Sequence, residues 1–339
     1  MGYSGIGQGQ SIGKDIWLYP IIERTLKLSG LKKSDKTLIY TDTNRNRNIF
    51  NAFYTAANNL CDLVFAVVGK PGYGPHATKS REPDPRVIKL MSESDFIIDL
   101  PTNHWCYTHA YNEVLDSGVK ILLSCSDEEL IYRLAPIDEI IQKTEKAADI
   151  ITGKSKIRIV SDVGTDIEMS IRGRVCNAQV GAVSEKRRWD NFPSGLTEIA
   201  PVEDSVNGTL VIAPGDPVVE FDKLINEQIR CEIRGGEIIN IEGGLEAKHL
   251  RDWFDQWEDP AVKVIAHTGF GTDFRATIFS TEAMDWESLE GGINVAFGSN
   301  FARFLNGKNV AKSHIDIILM NTSFYVDDLL MVDKGKLVF

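Results

Sequence analysis

Apolar residues recur at two spacings along the chain, and the spacing changes near the middle. Between Asp15 and Leu28, Ile16, Leu18, Ile21, Ile22, Leu26 and Leu28 fall at helical intervals, and Gly30 follows as a C-cap. Thr37–Thr41 then reads as a strand, Asn48–Asn59 as a helix, and the β-branched run Leu63–Val68 as a fully buried strand. The alternation continues with a helix at Pro85–Met91, a strand at Phe96–Leu100, a helix at Ala110–Leu115 and a strand at Lys120–Ser124. Short apolar strands alternating with helices predict a parallel α/β sheet wound on both faces. Helical pattern persists from Asp127 to about Ile150, with Pro136 separating two helices.

Beyond residue 155 the period shortens to two. Lys156–Val160 and Asp166–Arg172 alternate apolar and polar residues as half-exposed strands do. Arg230–Ile241 reads as a hairpin, because Gly235-Gly236 supplies the positive φ angles of a tight turn. Leu245–Trp257 is an amphipathic helix ended by Asp259-Pro260, and His314–Met320 and Leu329–Phe339 read as closing strands. Two domains are expected: a doubly wound parallel α/β domain at residues 1–153 and a β-rich α+β domain at residues 154–339.

Composition narrows the function. With 43% hydrophobic and 25% charged residues in 339, the chain can supply a sizeable core. No apolar run approaches the ~20 residues that cross a bilayer, and the first residues lack the basic start and apolar stretch of a secretory signal. A cytoplasmic protein with no membrane partner is the expectation. The formal charge of −11 repels phosphate backbones, and the one dense basic cluster, Lys186–Arg188, is flanked by Glu185 and Asp190. Nucleic acid is not an expected partner. Cys61, Cys106, Cys125, Cys176 and Cys231 are odd in number and scattered, which argues against a zinc site or a disulfide framework and for buried thiols.

Few residues invite chemistry. The glycine-rich start, Gly5-Ile-Gly7-Gln-Gly9, follows no strand, so it reads as a tail and not as a dinucleotide loop. Asp255 and Asp259 sit at the polar end of a helix, His249 on its surface, and His76 in a Gly/Pro-rich loop without a helpful neighbour. His314 and Asp316 differ, because residues i and i+2 of a strand share a face and can reach one metal ion. Such a pair needs a third ligand. His267, at the end of an apolar strand Val262–Ala266 and the start of the glycine-bearing loop Thr268–Gly271, is the natural candidate. Two His and one carboxylate form the facial arrangement of non-haem Fe(II) oxygenases.

Five segments occur in a familiar order: Trp189-Asp-Asn-Phe-Pro-Ser-Gly195, Glu203-Asp-Ser-Val-Asn-Gly-Thr-Leu210, Gly243-Gly-Leu-Glu-Ala247 with Leu250-Arg-Asp252, Ala266-His-Thr-Gly-Phe-Gly271, and His314-Ile-Asp316. Together they resemble the 2,5-dihydroxypyridine 5,6-dioxygenase family, a relative of the M29 (thermophilic) metallo-aminopeptidases, most strongly over residues 155–330. The resemblance implies one Fe(II) held by His267, His314 and Asp316, and ring opening of a hydroxylated aromatic substrate with both atoms of O2 entering the product. It also suggests a homo-oligomer.

The chain departs from that pattern at two places. Asn191 follows the Trp-Asp pair where the dioxygenases have His, and Gln179 stands where a Glu is expected. Both amides keep hydrogen-bonding capacity and lose titratability. His104 and Tyr107, just beyond the strand ending at Leu100, lie where ligands of doubly wound sheets bind, and can supply a replacement proton carrier or a substrate contact. Trp189 either stacks on a planar substrate or packs a domain junction. The aminopeptidase branch is the rival reading: it binds two divalent ions such as Zn, Co or Mn through additional Glu ligands. In that alignment His267 replaces one Glu, and Gly195 or Leu196 replaces another. A non-catalytic small-molecule binding protein is the third reading; the two amides suit it and the intact triad opposes it.

Overall fold

A computed structural model describes residues 17–75 and 78–339; Gly5–Gly9, Ile16 and His76 lie outside them. The chain forms two compact units. One comprises residues up to Gly74, Thr78–Pro136 and Val180–Pro193; the other is mainly Ile137–Gln179 and Ser194–Phe339. The hydropathy pattern divides the chain once, at residue 153, whereas the units divide it at Pro136 and return Val180–Pro193 to the first. Two packing choices account for the difference. Helix Asp138–Ile151 buries Ile140, Ala147, Ala148 and Ile151 and packs against strands Asn177–Gln179 and Leu196–Ile199 of the second unit. Strand Trp189–Asn191 pairs in parallel with Lys120–Leu123 of the first. Both partnerships are remote in sequence, so no local pattern announces them.

In the first unit the strands stand in the order Leu63–Gly69, Lys36–Asp42, Phe96–Leu100, Lys120–Leu123, Trp189–Asn191, all parallel. The chain starts near the middle and winds outward both ways. Helices 17–28, Arg47–Leu60, Pro85–Ser92, His109–Asp116 and Glu128–Arg133 connect or flank the strands. Asn46, Asp84, Thr108 and Asp127 cap the last four, each side chain accepting a backbone N–H of the first turn. Leu18, Ile22 and Leu26, four residues apart, bury one helix stripe with Ile39, Phe53, Phe96 and Ile98 in the core. Leu63–Gly69 corrects one expectation. It is an edge strand, and Leu63, Phe65 and Val68 remain 46%, 39% and 57% exposed. An apolar run reports neither how many neighbours a strand has nor how many of its faces are covered.

The second unit holds two antiparallel sheets, of eight and seven strands. In the larger, Ile229–Arg234 and Glu237–Gly243 form the expected hairpin, with Gly235 and Gly236 at φ 56° and 83°. Helix Leu245–Asp255 follows directly. The expected closing strand Leu329–Phe339 breaks into Leu329–Asp333 and Lys336–Leu337, because Lys334-Gly335 forms a tight turn at positive φ. Among the described residues no helix is long and apolar enough to cross a membrane.

Candidate metal centre

The seven-stranded sheet of the second unit runs Lys223–Leu224, Pro217–Val218, His314–Leu319, Ile293–Gly298, Ile265–Gly271, Leu196–Ile199, Asn177–Gln179. His314 and Asp316 share a face of one strand, and His267 lies two strands away with Ile293–Gly298 between. Adjacent strands are ~4.8 Å apart, so the two histidine backbones start ~10 Å apart. Their rings can meet only over small side chains on the middle strand. That strand places Gly298 opposite His314 and Ala296 opposite Asp316. Gly298 has φ 105°, and a Cβ there would lie 2.1 Å from the Ser313 carbonyl oxygen, so a side chain is excluded.

His267 reaches the site through a bulge. Ile265 pairs with Phe297 and Thr268 with Val295, which leaves Ala266 and His267 together opposite Ala296. A bulge interrupts side-chain alternation and re-aims a residue. Here the sequence expectation is corrected: Pro260–Lys263 is a 3-10 turn, and the strand runs from Ile265 through His267 to Gly271 instead of ending at Ala266.

The three side chains converge and are buried. His267 Nε2 lies 3.1 Å from His314 Nε2 and 3.4 Å from Asp316 Oδ1, and His314 Nε2 lies 3.1 Å from Asp316 Oδ2. His314 Nδ1 is 2.8 Å from the Ser299 carbonyl oxygen, which can only accept, so Nδ1 carries the hydrogen. In the neutral ring Nε2 then presents a lone pair to a carboxylate and to a second imidazole. A hydrogen carried on His267 Nε2 would satisfy part of this cluster, and a metal ion would satisfy all of it at once. Metal bonds of ~2.1 Å to neighbouring positions at right angles would place donor atoms ~3.0 Å apart, near the separations found. The donor set therefore fits one metal ion bound from one side.

Electrostatics agree with that fit. Burial lowers the His267 pKa to about 4, leaving it neutral as a ligand must be. For His314 burial also acts downward, but the charge and hydrogen bond of Asp316, with Glu220, outweigh it and the pKa is raised. Three carboxyls that sequence reasoning missed surround the triad. Burial pushes Glu198 up to about 7 and Glu220 up to about 8, with the Asp316 charge adding to both, and Glu287 is raised well above the usual range. Glu220 Oε2 accepts the Asp316 backbone N–H at 2.9 Å. The available signal was a glutamate inside an apolar run, as in Leu196-Thr-Glu-Ile199 and Val218-Val-Glu-Phe221.

Gln179 belongs to this surround. Its Nε2 donates to Glu198 Oε1 at 2.6 Å, beside Asn177 Nδ2 at 2.9 Å, so the amide holds a titratable carboxyl. Asn300, also buried, ties the site together. Its Nδ2 donates to the carbonyl of the bulge residue Ala266 at 3.0 Å, and its Oδ1 accepts the Asn309 N–H at 2.7 Å.

The other sequence candidates lie in the first unit. His104 and Tyr107 follow the carboxyl end of Phe96–Leu100, and Asn191 ends the strand that pairs Leu123 with Asn191. All three thus stand at the carboxyl ends of parallel strands. His104 is half-buried, its ring 5.9 Å from that of Tyr107 and its Nδ1 3.3 Å from Cys106 Sγ. Trp189 is only 5% exposed, and its Nε1 donates to Tyr111 Oη at 3.0 Å. Trp105 Nε1 donates to Asp99 Oδ2 at 3.1 Å, and burial pushes Asp99 up to about 8. A stacking platform needs an open face, and Trp189 is a core residue of this polar network. Arg187, of the basic cluster, is paired with the buried Asp190 at 2.9 Å.

The sequence profile of the 2,5-dihydroxypyridine 5,6-dioxygenase (NicX) family matches residues 17–339. A 2,5-dihydroxypyridine 5,6-dioxygenase of Pseudomonas putida KT2440 is 27% identical over 95% of this chain and 96% of its own. A solved structure of 2,5-dihydroxypyridine dioxygenase from Pseudomonas putida KT2440 superposes with a TM-score of 0.87 at 26% identity, covering 96% of this chain and 97% of that one. Wild-type AmpT from Thermus thermophilus superposes with a TM-score of 0.66 at 13% identity, over 95% and 99% of the two chains, which shows a shared fold alone. The chain belongs to the 2,5-dihydroxypyridine 5,6-dioxygenase family of enzymes.

Proposed function

We propose that the chain is a mononuclear non-haem Fe(II) dioxygenase that opens the ring of a hydroxylated aromatic or N-heteroaromatic compound, with a dihydroxypyridine as the leading substrate. The observation that carries this reading is the convergence of two imidazoles and one carboxylate, His267, His314 and Asp316, at one buried point, the donor set that non-haem Fe(II) oxygenases use. Bound there, Fe(II) would hold substrate and O2 side by side and pass electrons between them. The protein's own residues prepare that chemistry. The Ser299 carbonyl fixes the His314 tautomer, and burial keeps His267 neutral. Glu198, with a pKa near neutrality, can hold or release a proton at its carboxyl, while Gln179 orients it without titrating. A cytoplasmic setting accords with five cysteines that form no disulfide.

The aminopeptidase reading draws on the same surround, since Glu198, Glu220 and Glu287 offer carboxylates for a second ion. Metal count separates the two. Elemental analysis of anaerobically purified protein should give about one iron per chain, with O2 consumed when a dihydroxypyridine is added. Two zinc, cobalt or manganese ions per chain, with release of amino acids from aminoacyl substrates, would overturn the dioxygenase proposal. His314→Ala should lose both iron and activity with an unchanged far-UV spectrum; full iron content in that variant would refute the ligand assignment.

A further inference from the structure

Leu63–Gly69 is an edge without the usual protection. It pairs with Lys36–Asp42 on one side and, among the described residues, with no strand on the other. Its sequence, Leu-Val-Phe-Ala-Val-Val-Gly, contains no charge and no proline, its pairing has no bulge, and none of its residues is buried. Natural edges of this length are blunted by lysines, prolines or bulges, because open N–H and C=O groups beside apolar side chains recruit another strand.

We propose that this strand pairs antiparallel with the same strand of a second copy of the chain, about a two-fold axis at Ala66, so that two five-stranded sheets continue into each other. Parity and charge select the register. Alternate residues of a strand turn their N–H and C=O groups to opposite edges, so a strand can meet its own copy only in registers centred on a residue. Centred on Ala66, Phe65 faces Val67 of the second copy, Val64 faces Val68 and Leu63 faces Gly69. Just beyond the strand, Asp62 faces Lys70, and symmetry repeats this pair. Centring on Phe65 would set Asp62 against Val68 and Lys70 against Leu60; centring on Val67 would set Asp62 against Gly72 and Lys70 against Val64. Of these three registers, the Ala66 one alone opposes an acid and a base. Asp62 is free to take part: its present partner Lys33 is 3.7 Å away, with the two side chains 71% and 79% exposed. A second copy is favoured over an unrelated partner because one strand supplies both halves of this complementarity, as an isologous interface requires.

The test uses the full chain and reads register directly. In Ala66→Cys the new thiol meets its own copy, so mild oxidation should give a covalent dimer above the wild-type background. Val64→Cys and Val68→Cys should cross-link poorly alone and efficiently when mixed, because these positions face each other. Sedimentation should show an even-numbered oligomer for the wild type. Asp62→Lys turns two attractions into two repulsions and should weaken association about tenfold, and adding Lys70→Asp to it should restore association. A monomeric wild type would overturn the proposal, whether the edge stays bare or is covered by the chain's own residues before 17. An oligomer that cross-links equally at all three positions, or that ignores the charge reversal, would overturn it as well.

Discussion

Asn300→Ala tests whether the candidate metal centre depends on the loop behind it. The Asn300 side chain is fully buried and makes three hydrogen bonds: Nδ2 to the Ala266 carbonyl at 3.0 Å and to Glu203 Oε1 at 3.2 Å, and Oδ1 from the Asn309 N–H at 2.7 Å. Ala266 is half of the bulge that aims His267, and Asn309 Nδ2 in turn donates to the Gly298 carbonyl at 2.7 Å. Glu203 keeps Arg174 and the Lys308 N–H as partners, so its loss is small. The two remaining bonds at ~1 kcal/mol net each, with a further ~1–2 kcal/mol for the buried Ala266 carbonyl that loses this donor, predict a loss of about 3–4 kcal/mol. Urea unfolding of metal-free protein measures that term. Competition with a chelating dye measures the other: a loosened bulge should weaken metal binding about 10–100-fold, as loss of outer support does elsewhere. Each tenfold also removes about 1.4 kcal/mol from the stability that saturating metal confers. Metal affinity within threefold of wild type, in a variant destabilised as predicted, would refute the link between Asn300 and His267. A loss below ~1 kcal/mol would refute the hydrogen-bond accounting itself.

Two further substitutions probe buried carboxyls. Burial pushes Asp99 up to about 8, so the folded protein retains a proton that the unfolded chain gives up near pH 4. Wild-type stability should therefore fall as pH rises from about 4 to about 8 and then level off, and Asp99→Asn, which keeps an acceptor for Trp105, should remove that slope. Urea unfolding at pH 5 and pH 8 should show the variant gaining a few kcal/mol on wild type at the higher pH; a constant difference would mean that the folded state carries Asp99 ionised. Gln179→Glu would set a second carboxyl against Glu198 across the present 2.6 Å contact, and two such groups share one proton. Its stability should fall more steeply than wild type between pH 6 and 9, and identical slopes would show that the pair separates instead.

Much of the first unit was legible because its signals are local. Leu18, Ile22 and Leu26 mark a buried helix stripe, Asp84-Pro85 a helix start, and Phe96–Leu100 a strand without any knowledge of the rest. The same holds for Gly235-Gly236 and for the shared face of His314 and Asp316, which follow from turn geometry and the period of a strand. Order within the sheets was not legible in this way. Leu63–Gly69 has the composition of a central strand and stands at an edge, and Trp189–Asn191 joins a sheet whose other strands end by Leu123.

The sequence by itself determined which residues could serve as ligands and which element holds two of them, since both depend on side-chain type and on spacing of a few residues. Tertiary structure decided the rest of the centre. His267 approaches His314 because a bulge turns it and because Ala296 and Gly298 leave the face between them open. Glu198, Glu220 and Glu287 acquire raised pKa values because strands from distant parts of the chain bury them beside Asp316. Desolvation and convergence are properties of neighbours in space, and the pairing of strands far apart in sequence is what supplies those neighbours.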